Sequence, residues 1–341
     1  MADTPNTDKL RGVNLGGWLI LERWMTPSLF AGTAAEDEFT FMSTPGAAQK
    51  LKQHRQSFIT EADFKWLKGH NVNAVRIPVG YWVLHSDPPY QEAAQHLDWA
   101  MDMAKRYKIH AIIDVHGLPG SQNGLDHSGR KGKARWLRHN SLRQRSLDIL
   151  AQIGRRYRDN PYLWGLQITN EPKFGLLQLK LRSYYRAAYD QLADILRPHT
   201  RIMFSDAFTP RLMSGMLSGR RHPVVMDVHL YHMTTPLAQF FSADWYLNKV
   251  THRRKLLSKL AKDQPIIVGE WSSVLRGETM RRVPKGQHEA VTQAHIIDQL
   301  STYQDSAGWF YWNYKTEEPG LWNFRSLVES GELRLPDNRD K

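Results

Sequence analysis

Leu163-Trp164-Gly165-Leu166-Gln167-Ile168-Thr169-Asn170-Glu171-Pro172 is a short, largely apolar run that closes on Thr169, Asn170 and Glu171. It lies between two longer stretches with helical spacing, Leu142–Tyr157 and Gln178–Leu196. A short apolar run bounded by amphipathic ones reads as a buried strand. Seven other runs read the same way: Leu10–Gly17, Asn73–Val79, His110–Gly117, Arg201–Ala207, Val224–Tyr231, Pro265–Trp271 and Gly308–Lys315. Helix-like stretches separate most of them: Glu61–His70, Ala94–Tyr107, Trp245–Lys262 and His288–Tyr303, besides the two already named. Thr209–Leu217 and Leu321–Val328 carry only short helical signals. Strands alternating with helices predict βαβ units and a parallel sheet. Eight repeats fit an α/β fold of the (β/α)8 TIM barrel type better than an open doubly wound sheet. No Gly-x-Gly-x-x-Gly follows the first strand, which counts against dinucleotide binding. No linker divides the chain, so one domain over residues 1–341 is expected.

Composition narrows the classes. The 341 residues contain no cysteine, which removes disulfide frameworks, zinc fingers, iron–sulfur clusters and a thiol nucleophile. Hydrophobic residues make up 41% and charged ones 23%, as in a globular protein. No stretch approaches the ~18 apolar residues of a membrane span, and Met1–Pro5 does not begin a signal peptide. The chain as written is expected to be cytoplasmic, or secreted if a leader has been removed. Lys and Arg number 46 against 34 Asp and Glu, a formal net charge of +12. Arg130, Lys131, Lys133, Arg135, Arg138, Arg143 and Arg145 form a run without an acid. It reads as a solvated loop and helix start rather than a nucleic-acid surface, so neither nucleic acid nor membrane is expected as a partner, and the chain is expected to be a monomer.

A barrel places its chemistry at the C-terminal ends of several strands. Those ends carry Arg76, Asp114 and His116, Asn170 and Glu171, Asp227, His229 and Tyr231, Glu270, and Trp312. The long connections Trp18–Thr60 and Leu118–Ser141, after strands one and three, follow strand ends too. Loops of that length are more often functional than not. Glu171 and Glu270 end strands four and seven. One such Glu reads as a surface ion pair; two flanking a polar cleft are the minimal apparatus of glycoside hydrolysis. Arg76 beside a carboxylate would keep it ionised, as a nucleophile requires. His116, His229 and Tyr231 lack a ligand spacing such as His-Glu-x-x-His, so sugar binding is expected ahead of metal binding, with no cofactor.

In these residues the sequence resembles glycoside hydrolase family 5. Asn170-Glu171-Pro172 looks like that family's acid/base signature, and Glu270 after Ile266-Ile267-Val268-Gly269 looks like its nucleophile. Arg76, His116, Asn170, Glu171, His229, Tyr231, Glu270 and Trp312 match its eight recurring active-site positions in order. Arg11-Gly12-Val13-Asn14-Leu15-Gly16-Gly17-Trp18-Leu19, Glu22, Met25–Phe30, Asp37–Thr40, His116–Gly124 and Lys315-Thr316-Glu317 resemble fungal exo-β-1,3-glucanases, over roughly Leu10 to Phe324. In that group Glu22 and Asp126 match positions that contact the terminal glucose. The resemblance implies a retaining β-glycosidase acting on β-glucan, exo on β-1,3 linkages. β-1,6- or β-1,4-glucan hydrolysis and transglucosylation stay open on the same site, and an inactive carbohydrate-binding protein is the rival from another class.

Departures bear on the linkage. Leu125 and Thr234 stand where the fungal enzymes carry two Phe that clamp the acceptor sugar, and Met42 stands where Cys is expected. Loss of both rings should weaken or redirect the acceptor site. The mechanism implies a raised pKa for Glu171, a low one for Glu270, and carboxyl groups ~5–5.5 Å apart.

Overall fold

A computed structural model describes residues 9–175, 177–233 and 240–335. Met1–Pro5 and Thr234 lie outside them. Among the described residues eight parallel strands close into a barrel in chain order. They are β1 (Leu10–Asn14), β2 (Ala74–Gly80), β3 (His110–Gly117), β4 (Leu163–Gln167), β5 (Arg201–Ser205), β6 (Val224–Leu230), β7 (Ile266–Trp271) and β8 (Gly308–Tyr311). The expected (β/α)8 order is borne out. Helices Glu61–Gly69, Ala94–Tyr107, Asn140–Tyr157, Gln178–Ala193, Ala243–Leu260 and His288–Thr302 lie in the connections expected to hold them. Pro210–Met213 and Phe324–Glu329 are short, in the two connections that carry only short helical signals. Local chemistry starts and stops these helices. Thr60 and Asp63 form a reciprocal capping box ahead of Glu61–Gly69. Leu97, Ala100, Met101 and Ala104 give Ala94–Tyr107 one buried stripe, and Lys108 at φ 52° ends it.

Several strands are shorter than the sequence suggests. The β4 run reads as strand to Glu171, but the ladder stops at Gln167. Glu171 takes φ 39°, a left-handed backbone that no strand tolerates. The polar tail has left the sheet, and its side chains are free to turn over the barrel mouth.

The barrel interior is layered. Leu10, Ala74, Ile112, Trp164, Met203, Val225, Ile267 and Phe310, one from each strand, form an apolar plug. Further along the strands the interior turns polar: Asn14, Arg76, Asp114, Gln167 and Asp227 are all fully buried. Gly269 makes room for this layer. A Cβ there would stand 2.1 Å from Asp227 Oδ1, and its own N–H donates to that oxygen at 2.8 Å.

The two long connections are folded and joined to each other. The first carries helices Glu38–Met42 and Ala47–Ser57 around its own core of Leu21, Phe30, Phe41 and Leu51. Phe39 N donates to Gly129 O at 3.0 Å, and Lys131 N to Asp37 Oδ2 at 2.6 Å. Lys131 Nζ meets Glu36 at 2.7 Å, and the Arg130 guanidinium lies 3.9 Å from the Phe39 ring centre. Trp18, at the start of the first connection, and Trp271, at the end of β7, are buried in the main core. Among the described residues no helix is long and apolar enough to cross a membrane.

Gly269→Ala should lower stability by about 1–3 kcal/mol, the usual cost of overpacking a core. Urea unfolding measures it; an unchanged midpoint would mean that Asp227 moves freely.

Candidate active site

Arg76, carried by β2, stands at the centre of the barrel mouth. Its Nη1 donates to Asn14 Oδ1 at 2.8 Å and to Glu270 Oε1 at 3.0 Å. Nε donates to Gln167 Oε1 at 2.9 Å and Nη2 to Asn170 Oδ1 at 2.8 Å. Asp114 lies 3.0 Å from Nη2 and Asp227 3.8 Å. Burial alone would weaken the guanidinium's hold on its proton; Asp114, Glu270 and Asp227 outweigh burial and raise its pKa. A buried cation held this way stays charged.

Two Asp–His pairs stand around it, each with the two residues spaced two apart on one strand face. His116 Nδ1 lies 2.7 Å from Asp114 Oδ2, and His229 Nε2 lies 3.0 Å from Asp227 Oδ2. His229 Nδ1 faces Glu171 Oε1 at 2.7 Å and Glu270 Oε2 at 3.4 Å. Tyr231 OH donates to Glu270 Oε2 at 2.8 Å. The two glutamates therefore share His229, while Glu270 also has Arg76 and Tyr231.

Above them opens a cavity of about 450 Å³, lined by Glu22, Trp24, His116, His127, Glu171, Tyr231, Glu270, Trp312 and Trp322. Trp312 stacks nearly parallel to His116, ring centres 5.4 Å apart. Trp24 and Trp322 meet edge to face at 5.3 Å, and Trp24 Nε1 donates to Glu22 Oε2 at 2.8 Å. The other Glu22 oxygen is buried without a partner in the protein. Burial raises the Glu22 pKa well above the ordinary range; the Trp24 hydrogen bond opposes this, and Asp126, Glu270 and Glu171 add to it. An unpaired buried acceptor in a cavity wall is a vacancy for a hydroxyl donor.

The sequence-predicted residues thus fall into three positions. Glu22, His116, Glu171, Tyr231, Glu270 and Trp312 line the cavity. Arg76, Asn170 and His229 lie buried beneath it. Asp126 is half-buried to one side and reaches the site through its charge on Glu22. Several participants were not foreseen. His127 Nε2 approaches Glu171 Oε2 at 3.5 Å, and Asn123 Nδ2 donates to Glu171 O at 3.0 Å. Gln122 Nε2 ties His116 O to Asn170 O. Phe208 is exposed at φ 57°, edge-on to His229 with ring centres 6.4 Å apart. The i, i+2 spacing of Asp114 with His116, and of Asp227 with His229, was a usable signal; nothing in the sequence marks His127 or Phe208.

The expected proton order is reversed. Burial raises Glu270 to about 7 against the charges of His229 and Arg76. Burial also works to raise Glu171, but the hydrogen bond and charge of His229 hold it below the ordinary carboxylate range. The reason lies in His229. Burial would lower its pKa, but Glu270, Asp227 and Glu171 raise it well above the ordinary value. Both ring nitrogens face carboxylate oxygens, the geometry of a protonated imidazole. Glu171, His229 and Glu270 bring one ligand-type atom each within 4.8 Å of one another. Both His229 nitrogens are already engaged by carboxylate oxygens, of Glu171 and Asp227.

Residues 33–318 match the sequence profile described as cellulase (glycosyl hydrolase family 5). The chain belongs to glycosyl hydrolase family 5. It is 34% identical to the probable glucan 1,3-β-glucosidase A of Aspergillus fumigatus (strain CBS 144.89), over 96% of this chain and 88% of that protein. It is 32% identical to glucan 1,3-β-glucosidase 1 of Schizosaccharomyces pombe, over 97% and 89%. In fold it is similar to a rutinosidase from Aspergillus niger, with a TM-score of 0.82, 22% identity, and coverage of 96% and 99%. This family 5 chain is a glycoside hydrolase, and its barrel is the family's (β/α)8 scaffold.

Arg76→Met should cost about 3–5 kcal/mol, because it leaves several buried carboxylates without their cation. The deficit should shrink as pH falls from 8 to 5. Burial already raises Asp114 and Glu270 to about 7, and without the guanidinium both take up protons in the folded state that the unfolded chain does not bind. Urea unfolding across that range checks it; a deficit that grows with acid would contradict the electrostatic account.

Proposed function

We propose that this family 5 enzyme is an exo-acting retaining β-glucosidase of β-1,3-linked glucans, with Glu270 as nucleophile and Glu171 as acid and base. The observation that carries the reading is the pair of carboxylates at one cavity, with oxygens within 4.8 Å of each other. Inverting enzymes need roughly 6.5–9.5 Å between carboxyl groups to admit a water. Glu270 attacks C1 of the terminal glucose while Glu171 gives its proton to the departing oxygen. Water then attacks C1, Glu171 takes its proton, and the Glu270 ester bond breaks.

Glu171 needs a proton for the first step. His229 holds one 2.7 Å away and remains bonded to Asp227 after giving it up. Arg76 and Tyr231 spread the charge on Glu270 and fix the oxygen that attacks. Asn170 serves the sugar 2-hydroxyl, Trp312 the apolar sugar face, His116 the subsite wall, and Glu22 with Asp126 the hydroxyls farthest from the scissile bond. The unpaired oxygen of Glu22 supports its part. The names of the A. fumigatus and S. pombe relatives support the linkage. Leu125, half exposed where those fungal enzymes are expected to carry Phe, leaves the acceptor side open to a different sugar and to transfer products.

Four measurements test this. Glu270→Gln should abolish turnover of every β-glucoside. Glu171→Gln should lower kcat/KM on laminari-oligosaccharides by about 10²–10⁴, the worth of general acid–base catalysis. It should spare the first step on aryl glucosides whose leaving group needs no proton. NMR of fresh product should show β-glucose first; α-glucose first would refute retention. A panel of β-1,3-, β-1,4- and β-1,6-linked oligosaccharides should release glucose fastest from the β-1,3 series.

A further inference from the structure

The basic run at Arg130–Arg145 is not uniform in the folded chain. Lys131 pairs with Glu36 and Arg145 with Asp87, while Arg130 covers the Phe39 ring. Arg143 is bonded to Leu137 O and Asn140 Oδ1. Lys133, Arg135 and Arg138 have no ion pair among the described residues, and all three line a second cavity, of about 760 Å³. Lys173, two residues beyond Glu171, joins them there, equally without an acidic partner. Among the described residues the lining contains no carboxylate.

This cavity and the catalytic one have separate linings, joined through Gln122. Gln122 lines it while bonding His116 O and Asn170 O, and Lys173 N donates to Gln122 O at 3.1 Å. Phe174 adds a half-exposed ring to the lining. His139 also lines the cavity and is the N-cap of the 18-residue helix Asn140–Tyr157. No side chain caps that helix and its first turn holds no acid, so its dipole adds positive potential to that of the four cations. An exposed aromatic face beside clustered cations suits a sugar ring that carries a negative group.

We propose that this cavity is a leaving-group subsite for a glycan bearing an anionic substituent, carboxylate or phosphate. The proposal rests on Glu171 being the acid that protonates the leaving oxygen, because that puts the leaving sugars on the Glu171 side. The cations then select among substrates without touching the reacting atoms. Exposed ion pairs are individually weak, so the expected preference is modest and sensitive to salt.

The probes are trisaccharides and tetrasaccharides of β-1,3-, β-1,4- and β-1,6-linked glucose, each compared with its aldonate, in which the reducing end is oxidised to a carboxylate. A second pair carries phosphate on the terminal sugar. Binding is measured by calorimetry on Glu270→Gln, and kcat/KM on the active chain. At least one aldonate or phosphate should bind about tenfold tighter than its neutral parent at low salt. The gap should close at 0.5 M salt, and in R135Q/K173Q. The double variant should change kcat/KM on neutral oligosaccharides less than twofold. No preference for any anionic form, or a preference that survives R135Q/K173Q, overturns the proposal. So does a single-stranded RNA that displaces the aldonates through the same two residues, since that would make the patch a nucleic-acid surface. Because binding is read without turnover, a failure of the proposed catalytic roles appears separately, as inactivity toward the neutral series.

Discussion

A single guanidinium organises the top of this barrel. Arg76 is fully buried and bonded at once to side chains from β1, β4 with its tail, and β7: Asn14, Gln167, Asn170 and Glu270, with Asp114 of β3 at its other edge. Its planar fork of donors is the only side-chain geometry that reaches so many acceptors from one point. Each acceptor in turn has a second duty. Asp114 holds His116, Gln167 donates to Asp227 Oδ2 at 2.7 Å, and Asp227 holds His229. The polar layer is a continuous network in which no member can be exchanged without unpairing another.

That layer exists because the one below it is apolar and closed. Eight side chains, one per strand, fill the barrel and keep water from entering beneath the charges. Low polarity strengthens every contact above it and raises the cost of any unpaired charge. The same environment reverses the proton order of the glutamates. His229, surrounded by three carboxylates, is favoured for the proton that the proposed mechanism asks of Glu171. In the proposed cycle the two states differ by one proton moving along a 2.7 Å hydrogen bond.

The strand order was legible because a parallel sheet buried on both faces writes each strand as an apolar run. The runs overshoot where polar tails leave the sheet, as at Gln167, because a tail that turns over the barrel mouth keeps the composition of a strand end. The glutamate pair was legible for the same reason: an ionisable residue ending an apolar strand has few structural uses. The proton order was not, since it depends on distances among His229, Asp227, Glu171 and Glu270, which lie on three different strands or their tails. His127 was hidden because a loop residue carries no periodicity. The basic run was read as one solvated surface; only the fold divides it into cations that are paired and cations that line a cavity.

The joint between the two long connections limits how such an enzyme can change its substrate. Asp37 and Glu36, from the first loop, anchor Lys131 of the second, and the Phe39 and Gly129 backbones are bonded directly. The first loop brings Glu22 and Trp24 to the cavity; the second brings His127 to it and the free cations beside it. Neither can be lengthened, shortened or transplanted alone without stranding the bonds of the other. Specificity in this scaffold is inherited as a matched pair of loops, the unit in which it would have to be engineered.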